Sequence, residues 1–373
     1  MIMIRKTVQI ISHLLPIKKN RVLFFSYYGS QYGCNPKYIS QYLVREYSEN
    51  LEVIWGFTNT RKSINGVKMV KYGSLKWYIA LATSKVICTN YRMTGDFVKR
   101  KKQIYIQTWH SSLRLKKIEA DVEGTLPADY VKMAKKDSAQ TDYVLAGCGL
   151  SHKTFEKSFW YSGTILDCGT PRNDFLVRQN SQQSQTIRHS LGIKNNEKIV
   201  MYAPTFRNNH SLEPYNIDII GLVSALCDRF GGEWKVLLKL HPHIMDCKLF
   251  KGVQEVVDVS TYDDVQELLL VSDVLITDYS SLMFDFALTR RPVFLYASDI
   301  QSFVKNERSF YFRIQDLPFQ LSKTNNELTA TIRKYNANEY NTALNCFNDS
   351  IDSYENGCAS KIVSDLIIDC ITR

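Results

Sequence analysis

A histidine follows a β-rich run in residues 103–121, QIYIQTWHSSLRLKKIEAD. His110 ends the run, and Ser111, Ser112 and several basic residues come after it. A histidine at a strand exit can act as a general base, because its unperturbed pKa of about 6.5 leaves it mostly neutral at working pH. The hydroxyls and basic side chains beside it suit an anionic substrate. A histidine packed beside a solvated basic turn is the alternative, since a lone histidine is a weak signal.

A second histidine ends the apolar run WKVLLKLHPH, residues 234–243. Pro242 stops the predicted strand directly after His241, because proline cannot donate to a sheet. His241 and His243 could together contact a metal ion. The chain has neither an HExxH motif nor a CxxC pair, however, so the sequence predicts no metal centre here.

Four consecutive polar residues follow a predicted strand in residues 272–299. Asp278 begins this turn, and Ser280 or Ser281 is a suitable N-cap for the apolar-faced helix that follows. The free amides and positive end of such a helix can hold a phosphate. Asp285 lies one helical turn further on. Ordinary capping needs only one of these polar residues, so the cluster favours a binding site.

The segment MYAPTFRNN, residues 201–209, places Thr205 and Arg207 after another predicted strand. An arginine there could bind a phosphate through two hydrogen bonds, although a plain surface arginine is the alternative. Neither GxGxxG nor GxxxxGK[ST] occurs in the chain. Their absence argues against dinucleotide oxidoreductases and P-loop NTPases.

All of these residues are expected to be positioned by parallel α/β sheets, because short β-rich runs alternate with helical segments. Strands are predicted at 21–26, 51–57, 85–89, 103–108, 142–146, 164–168, 197–203, 234–240, 254–259, 273–277 and 292–296. Helices are predicted at 74–83, 127–140, 151–160, 216–230, 263–271 and 281–289. Ligands of such sheets bind outside the carboxyl ends of the strands, where the polar residues described above stand.

The length of 373 residues indicates two domains. The polar stretch 179–185, QNSQQSQ, suits a linker or a helix entry, so we predict domains at 1–180 and 181–373. The last 50 or so residues are predicted to be helical and could brace one domain against the other.

The composition excludes several protein classes. With 45% hydrophobic residues, the chain can form packed cores and is not disordered. Nine scattered cysteines without a CxxC pair argue against a disulfide framework or structural zinc and favour a reducing, cytosolic compartment. The net charge of +10 favours an anionic partner: nucleic acid, an anionic membrane or a phosphorylated substrate.

No apolar run is long enough to span a membrane, but the N-terminus suits a helix lying on an anionic one. An apolar helical stripe is flanked by five positive charges; the stripe is Ile4, Val8, Ile11 and Leu15, and the charges are Arg5, Lys6, Lys18, Lys19 and Arg21. A first helix packed on the protein body is the alternative. Two further basic groups could bind a membrane: Lys99, Arg100, Lys101 and Lys102, and Lys132, Lys135 and Lys136.

Taken in order, these segments resemble the CDP-glycerol glycerophosphotransferase family, whose members build teichoic acids and related capsular polymers. The resemblance covers roughly residues 100–300 and rests on QTWH, CGTPRND, YAPTFR, KLHPH and SDVLITDYSS with Asp285. It implies a GT-B-like fold of two Rossmann-like, doubly wound domains with the site in the cleft. The family often reads WHGTPLK where this chain has WHSSLRLK, so the glycine's conformational freedom is lost.

The resemblance also implies roles for residues. His110 and His241 become the catalytic pair. Thr205, Arg207 and the helix start at Ser280 and Ser281 would bind the phosphates of the donor. From their positions in the motifs, Asp278, Asp285, Ser111 and Ser112 are also predicted to bind substrate. The first domain would take the acceptor and face the membrane, and the second would bind the CDP-alcohol donor.

The function predicted on this basis is transfer of glycerol phosphate or ribitol phosphate from a CDP-alcohol to a hydroxyl of a lipid-linked glycan or growing polymer, releasing CMP. No cofactor is expected to be required. The enzyme would work peripherally at the cytoplasmic face of the cell membrane. A nucleotide-sugar glycosyltransferase is the first alternative. A basic nucleic-acid-binding protein is the second, although the chain has no recognisable RNA or DNA module.

Overall fold

The computed structural model of the chain describes residues 11–60, 63–111, 113–207, 212–240, 250, 252–306 and 309–372. The described residues separate into two compact units. The first unit comprises those of 1–112, 118–174 and 353–373, and the second those of 113–117 and 175–352. This division differs from the predicted boundary near residue 180, because the chain passes between the units after Asp174 and its last segment returns to the first unit.

In chain order the strands are β1 Lys18–Phe25, β2 Glu52–Phe57, β3 Lys68–Lys71, β4 Ser84–Thr89, β5 Ile104–Gln107, β6 Tyr143–Ala146, β7 Thr164–Asp167, β8 Glu197–Ala203, β9 Glu233–Leu238, β10 Val256–Asp258, β11 Val274–Thr277, β12 Val293–Tyr296 and β13 Gln320–Ser322. The α-helices are α1 Cys34–Tyr47, α2 Leu75–Thr83, α3 Ala128–Gln140, α4 Gly149–Ser158, α5 Asp174–Arg178, α6 Ser181–Ser190, α7 Ile219–Phe230, α8 Val265–Val271, α9 Leu282–Ala287, α10 Ile300–Asn306, α11 Asn325–Arg333, α12 Ala337–Ile351 and α13 Ala359–Thr372.

The first unit contains a seven-stranded sheet in the order β3-β2-β1-β4-β5-β6-β7, and its strand pairs are parallel. Alternate residues of β1 pack on opposite faces of this sheet. Val22 and Phe24 lie in a core with side chains of α1 and α13, whereas Leu23 and Phe25 lie in a core with side chains of α2. Helices therefore cover both faces, which explains why these strands are continuously apolar. Each such side chain contributes about 1.5–3 kcal/mol when fully buried.

The second unit contains a six-stranded parallel sheet in the order β10-β9-β8-β11-β12-β13. In this sheet the strand order reverses between β8 and β11, and in the first unit it reverses between β1 and β4. Such a reversal opens a crevice outside the carboxyl ends of the two strands. Residues that follow β8 and β11, or β1 and β4, are therefore placed side by side.

The prediction of an α/β protein with parallel sheets and helices is confirmed. All eleven predicted strands are present, but the edge strands β3 and β13 are absent from the prediction, since they are short and only partly buried. The polar stretch 179–185 is a helix entry, because Asn180 caps α6 by accepting a hydrogen bond from the backbone amide of Gln183.

Two further findings concern the whole described chain. None of the eight cysteines within it forms a disulfide. Among the described helices, none combines the length and the hydropathy that crossing a bilayer requires.

The CGTPRND motif joins the C-terminal helix to the first unit. Asp174 accepts hydrogen bonds from the backbone amides of Ala359 and Ser360 at 3.0 and 2.7 Å, and so caps α13. Thr170 donates its hydroxyl to Glu355 just before that helix, at 2.5 Å. Asp and Glu stabilise a helix start by satisfying its free amides. The motif therefore has a structural role in anchoring the returning chain.

Candidate functional site

The crevice of the second unit brings together the segments after β8 and β11. Ala203 and Thr277 are register partners at the ends of these strands. Directly beyond them, the backbone amide of Thr205 donates to both carboxylate oxygens of Asp278, at 2.8 and 3.0 Å. Two residues predicted separately from sequence thus lie in direct contact.

Arg207 lies beside this contact but is buried, with 3% of its surface exposed. Its guanidinium donates to Asp278 at 2.8 Å and to the two carboxylate oxygens of Asp299 at 2.6 and 3.0 Å. Burial lowers the pKa of Arg207, but the hydrogen bond to Asp299 and the charges of both carboxylates outweigh burial and raise it above its usual value. A phosphate would therefore have to compete with two carboxylates for the side chain that the sequence predicts as its clamp.

Aromatic side chains enclose this ion-pair group. Tyr279 donates its hydroxyl to Asp299 at 2.9 Å, and its ring stacks on Phe303 with centroids 3.9 Å apart. The Arg207 guanidinium carbon lies 4.9 Å from the centroid of each of these rings. Sequence reasoning missed Asp299, although it follows β12 as Asp278 follows β11, and that position after a strand is the signal that could have identified it.

The two serines of the turn are half-buried and precede α9. Ser281 occupies the N-cap position, but its side chain makes no capping hydrogen bond; Ser280 instead accepts a long one from the Leu282 amide, at 3.4 Å. The hydroxyl of Ser281 is thus not used as the predicted cap. Asp285, in the first turn of α9, is buried with 4% exposure and points away from solvent.

Two buried hydroxyls in this region have no hydrogen-bond partner among the described residues: Thr205 Oγ1 and the phenol of Tyr202. Burial raises the pKa of Tyr202 well above its usual value, with a smaller contribution from the charge of Asp278. Buried polar groups almost always have a partner, so an unsatisfied one needs an explanation. Thr205 Oγ1 is the better candidate for a ligand contact, because Thr205 itself is only partly buried.

In the first unit, His110 lies at the carboxyl edge of the sheet, after β5. Its half-buried ring faces aromatic side chains from two other strand exits: Tyr91, with centroids 5.7 Å apart, and Tyr27, at 6.3 Å. These residues come together because Phe25, Thr89 and Gln107 end three adjacent strands in register.

Of the two serines that follow His110, only Ser111 is among the described residues. Ser111 is buried, and Ser112 lies outside the described residues.

His241 and His243 also lie outside the described residues, so the structure tests neither the predicted catalytic role of His241 nor its position. The chain is described up to Leu240, where Lys239 donates to the carbonyls of Ser260 and Tyr262, both at 2.8 Å. Burial lowers the pKa of Lys239 to about 8, although nearby carboxylates oppose the shift. The exit of β9 is thus held by the half-buried amine of Lys239.

Within the parts of the chain that the structure describes, no three His, Cys, Asp or Glu side chains group together as metal ligands would. The polar groups described after β8 and β11 of the second unit are hydroxyls, backbone amides and the ion-paired Arg207, and the first unit presents the imidazole of His110 after β5.

The chain is similar in sequence and in fold to proteins of teichoic acid synthesis. The chain is 31% identical over 369 residues to the teichoic acid poly(glycerol phosphate) polymerase of Bacillus spizizenii, covering 95% of this chain and 93% of the relative. It is 32% identical over 365 residues to the teichoic acid glycerol-phosphate transferase of Staphylococcus aureus, covering 94% and 93%. The solved structure of the wall teichoic acid polymerase TagF superposes with a TM-score of 0.86 at 31% identity, covering 99% of this chain and 94% of that one.

The family profile described as CDP-Glycerol:Poly(glycerophosphate) glycerophosphotransferase matches residues 7–369, nearly the whole chain and well beyond the region on which the resemblance rests. The predicted resemblance is confirmed. This chain belongs to the CDP-glycerol:poly(glycerophosphate) glycerophosphotransferase family.

Proposed function

We propose that this enzyme transfers glycerol phosphate from CDP-glycerol to a hydroxyl of a growing wall polymer and releases CMP. Family membership supports glycerol phosphate transfer over sugar transfer and over nucleic-acid binding. The observation that carries the proposal furthest is the reversal of strand order between β8 and β11 in the second unit, because Thr205, Ser280 and Ser281 follow these two strands. The crevice at such a reversal is where open α/β sheets bind nucleotides.

The proposed reaction is a displacement at phosphorus. The acceptor oxygen forms a bond to the glycerol-side phosphorus, the bond from that phosphorus to the bridging oxygen breaks, and CMP leaves with the electron pair. A ring nitrogen of His110 takes the acceptor's proton. His241, the amides that begin α9 and the neighbouring hydroxyls offset the charge that develops on the phosphoryl and leaving oxygens.

The finer architecture belongs to this proposal. We infer a GT-B-like enzyme in which the first unit contributes His110 and takes the acceptor, while the second binds the donor. Two-sheet α/β architecture and likeness to TagF support this inference. The buried Arg207, with its carboxylate partners, then positions the Thr205 and Asp278 turns and does not itself bind phosphate.

The decisive assay offers the purified protein a synthetic lipid-linked acceptor with CDP-glycerol, CDP-ribitol or a panel of UDP- and GDP-sugars. Mass analysis of the product and identification of the released nucleotide separate the candidates. CMP release with addition of glycerol phosphate supports the proposal. Release of UDP or GDP would establish the glycosyltransferase instead, and salt-dependent oligonucleotide binding without any turnover would establish the nucleic-acid binder.

The donor-binding hydroxyls yield a prediction. Thr205→Val, which keeps the side-chain volume, and the double variant Ser280→Ala with Ser281→Ala should each weaken CDP-glycerol binding. A neutral hydrogen bond contributes about 1 kcal/mol, or roughly a fivefold change in Kd. Isothermal titration calorimetry measures that Kd directly. Thr329→Val on α11, where the hydroxyl bonds to the Asn326 carbonyl, is the matched control.

An unchanged Kd in both test variants would place the donor phosphates elsewhere. If the Thr329→Val control loses as much affinity for CDP-glycerol as the test variants, the substitutions act through a general effect on the second unit.

We further propose that the enzyme works at an anionic membrane surface through the first unit. Ile11, Leu14 and Leu15 are exposed by 59%, 84% and 40%. The guanidinium of Arg100 donates to the Leu15 carbonyl at 2.8 Å, which brings this apolar turn beside the basic run 99–102. Apolar side chains next to basic ones suit an interfacial contact. Ile4 and Val8 of the predicted stripe lie outside the described residues.

The basic residues of this region are not equivalent. Lys99 pairs with Asp142 at 2.5 Å, and Arg100 bonds to backbone carbonyls, so both have structural partners. Lys101 and Lys102 are exposed. In the third basic group, Lys135 pairs with Glu123, and Lys136 bonds to the Gly95 carbonyl.

We therefore expect Lys101→Glu with Lys102→Glu to reduce sedimentation with anionic liposomes. Each basic residue near an anionic leaflet contributes about 1 kcal/mol. Wild-type binding should disappear near about 0.5 M salt, because screening over a few ångströms removes the attraction. Lys194→Glu with Lys334→Glu, which makes the same charge change on the second unit, should leave binding intact. Equal binding to neutral and anionic liposomes would contradict the electrostatic account.

A further inference from the structure

The turn that presents His110 has a backbone conformation that its residues do not favour by themselves. Trp109 has φ of +51°, in the left-handed region that bulky side chains rarely adopt. Such a conformation costs of the order of 1–3 kcal/mol and persists only when surrounding contacts determine it. Some group of the first unit must therefore hold this turn.

Asn35, in the first turn of α1, makes the contacts that hold it. The side-chain nitrogen of Asn35 donates to the carbonyls of Thr108 and Trp109, at 3.1 and 3.0 Å. Its side-chain oxygen accepts from the backbone amide of Arg172 at 3.1 Å. The nitrogen faces two acceptors and the oxygen faces a donor, so the amide orientation is determined by its partners.

The contact is buried and joins two elements of the first unit. Asn35 is 1% exposed and sits 73 residues before Thr108, so it joins α1 to the exit of β5. From the other side, Gln107 accepts the Trp109 amide at 3.0 Å and donates to the Tyr91 carbonyl at 2.8 Å. The main chain immediately before His110 is thus held by two side-chain amides.

We propose that Asn35 is the positioning residue for His110. This inference rests on the proposed function, in which His110 is the general base. A base displaced by about 1 Å can lose about 10²-fold in rate, because proton transfer requires a near-attack geometry. Asn35 touches no reacting atom; it acts by fixing the carbonyls of Thr108 and Trp109, and with them the direction in which the imidazole is presented.

The test compares Asn35→Asp, Asn35→Ala and His110→Ala, alone and combined. Asn35→Asp keeps the volume and the acceptor but replaces the donating nitrogen with oxygen. It therefore remains informative even if Asn35→Ala does not fold. We expect kcat to fall about 10- to 10²-fold in the Asn35 variants, with KM for CDP-glycerol unchanged. In the His110→Ala background the Asn35 substitution should cost little more, because the group that it positions is already absent.

Asn173→Ala is the matched control, since Asn173 is equally buried in the first unit but donates to Glu355. It should lower the melting temperature without lowering kcat of the folded protein. If the Asn35 variants behave in the same way, or if their cost adds fully to that of His110→Ala, Asn35 is only structural and the inference is overturned. If His110→Ala itself turns over normally, the role of His110 in the proposed function fails instead, which is a separate result.

Discussion

His110→Ala should lower the turnover of CDP-glycerol by about 10²-fold or more, the usual scale for the loss of an acid–base group. The imidazole lies at the carboxyl edge of the first unit's sheet, half-buried against Tyr27 and Tyr91. Because the ring is only half-buried, its removal should leave the fold and the melting temperature nearly unchanged. Steady-state release of CMP, measured with saturating acceptor, is the appropriate readout.

His152→Ala supplies the comparison. His152 lies on α4 of the same unit, and its ring contacts Asp167 at 2.7 Å, away from the exit of β5. This variant should retain turnover close to that of the wild type. Near-wild-type turnover by His110→Ala would remove that histidine from the mechanism. His241, the other member of the catalytic pair that the resemblance implies, would then be the remaining candidate base.

Arg207→Ala is expected to destabilise the protein by about 3–5 kcal/mol, because it leaves the buried carboxylate of Asp278 and the partly buried one of Asp299 without their cation. Asp278 and Asp299 both pair with Arg207 in the native state, and the side chains of Arg207 and Asp278 are only 4% and 2% exposed. A loss of this size is a large fraction of the stability of a typical domain. Urea unfolding monitored by tryptophan fluorescence measures the change in the free energy of unfolding.

The control is Arg333→Ala, which breaks an exposed pair with Asp228 whose side chains are 46% and 55% exposed. Exposed ion pairs contribute about 0–1 kcal/mol, so this variant should unfold almost as the wild type does. If Arg207→Ala unfolds normally but binds CDP-glycerol much more weakly, the ion pairs are not essential to the fold. The phosphate clamp predicted from sequence would then be the correct role.

The sequence by itself determined the local features of this protein. Strand and helix positions followed from apolar runs and turn residues, since these patterns depend on neighbours in the chain. The candidate residues His110, Thr205, Asp278 and Ser280 could be identified because each stands where a strand ends, and parallel sheets bind ligands there. Family membership could be predicted for the same reason, since its motifs are short and contiguous.

The tertiary structure alone decided which of these residues contact each other. The sequence predicts that Arg207 binds a phosphate, but in the structure Arg207 pairs with Asp299, 92 positions away. The two residues meet because β12 lies beside β11 in the sheet. Asn35 carries no sequence signal for function, yet it bonds to the turn before His110. No local sequence pattern predicted that α13 packs in the first unit either. Strand order and long-range packing set these contacts, and both depend on the free energy of the whole fold rather than on any local pattern.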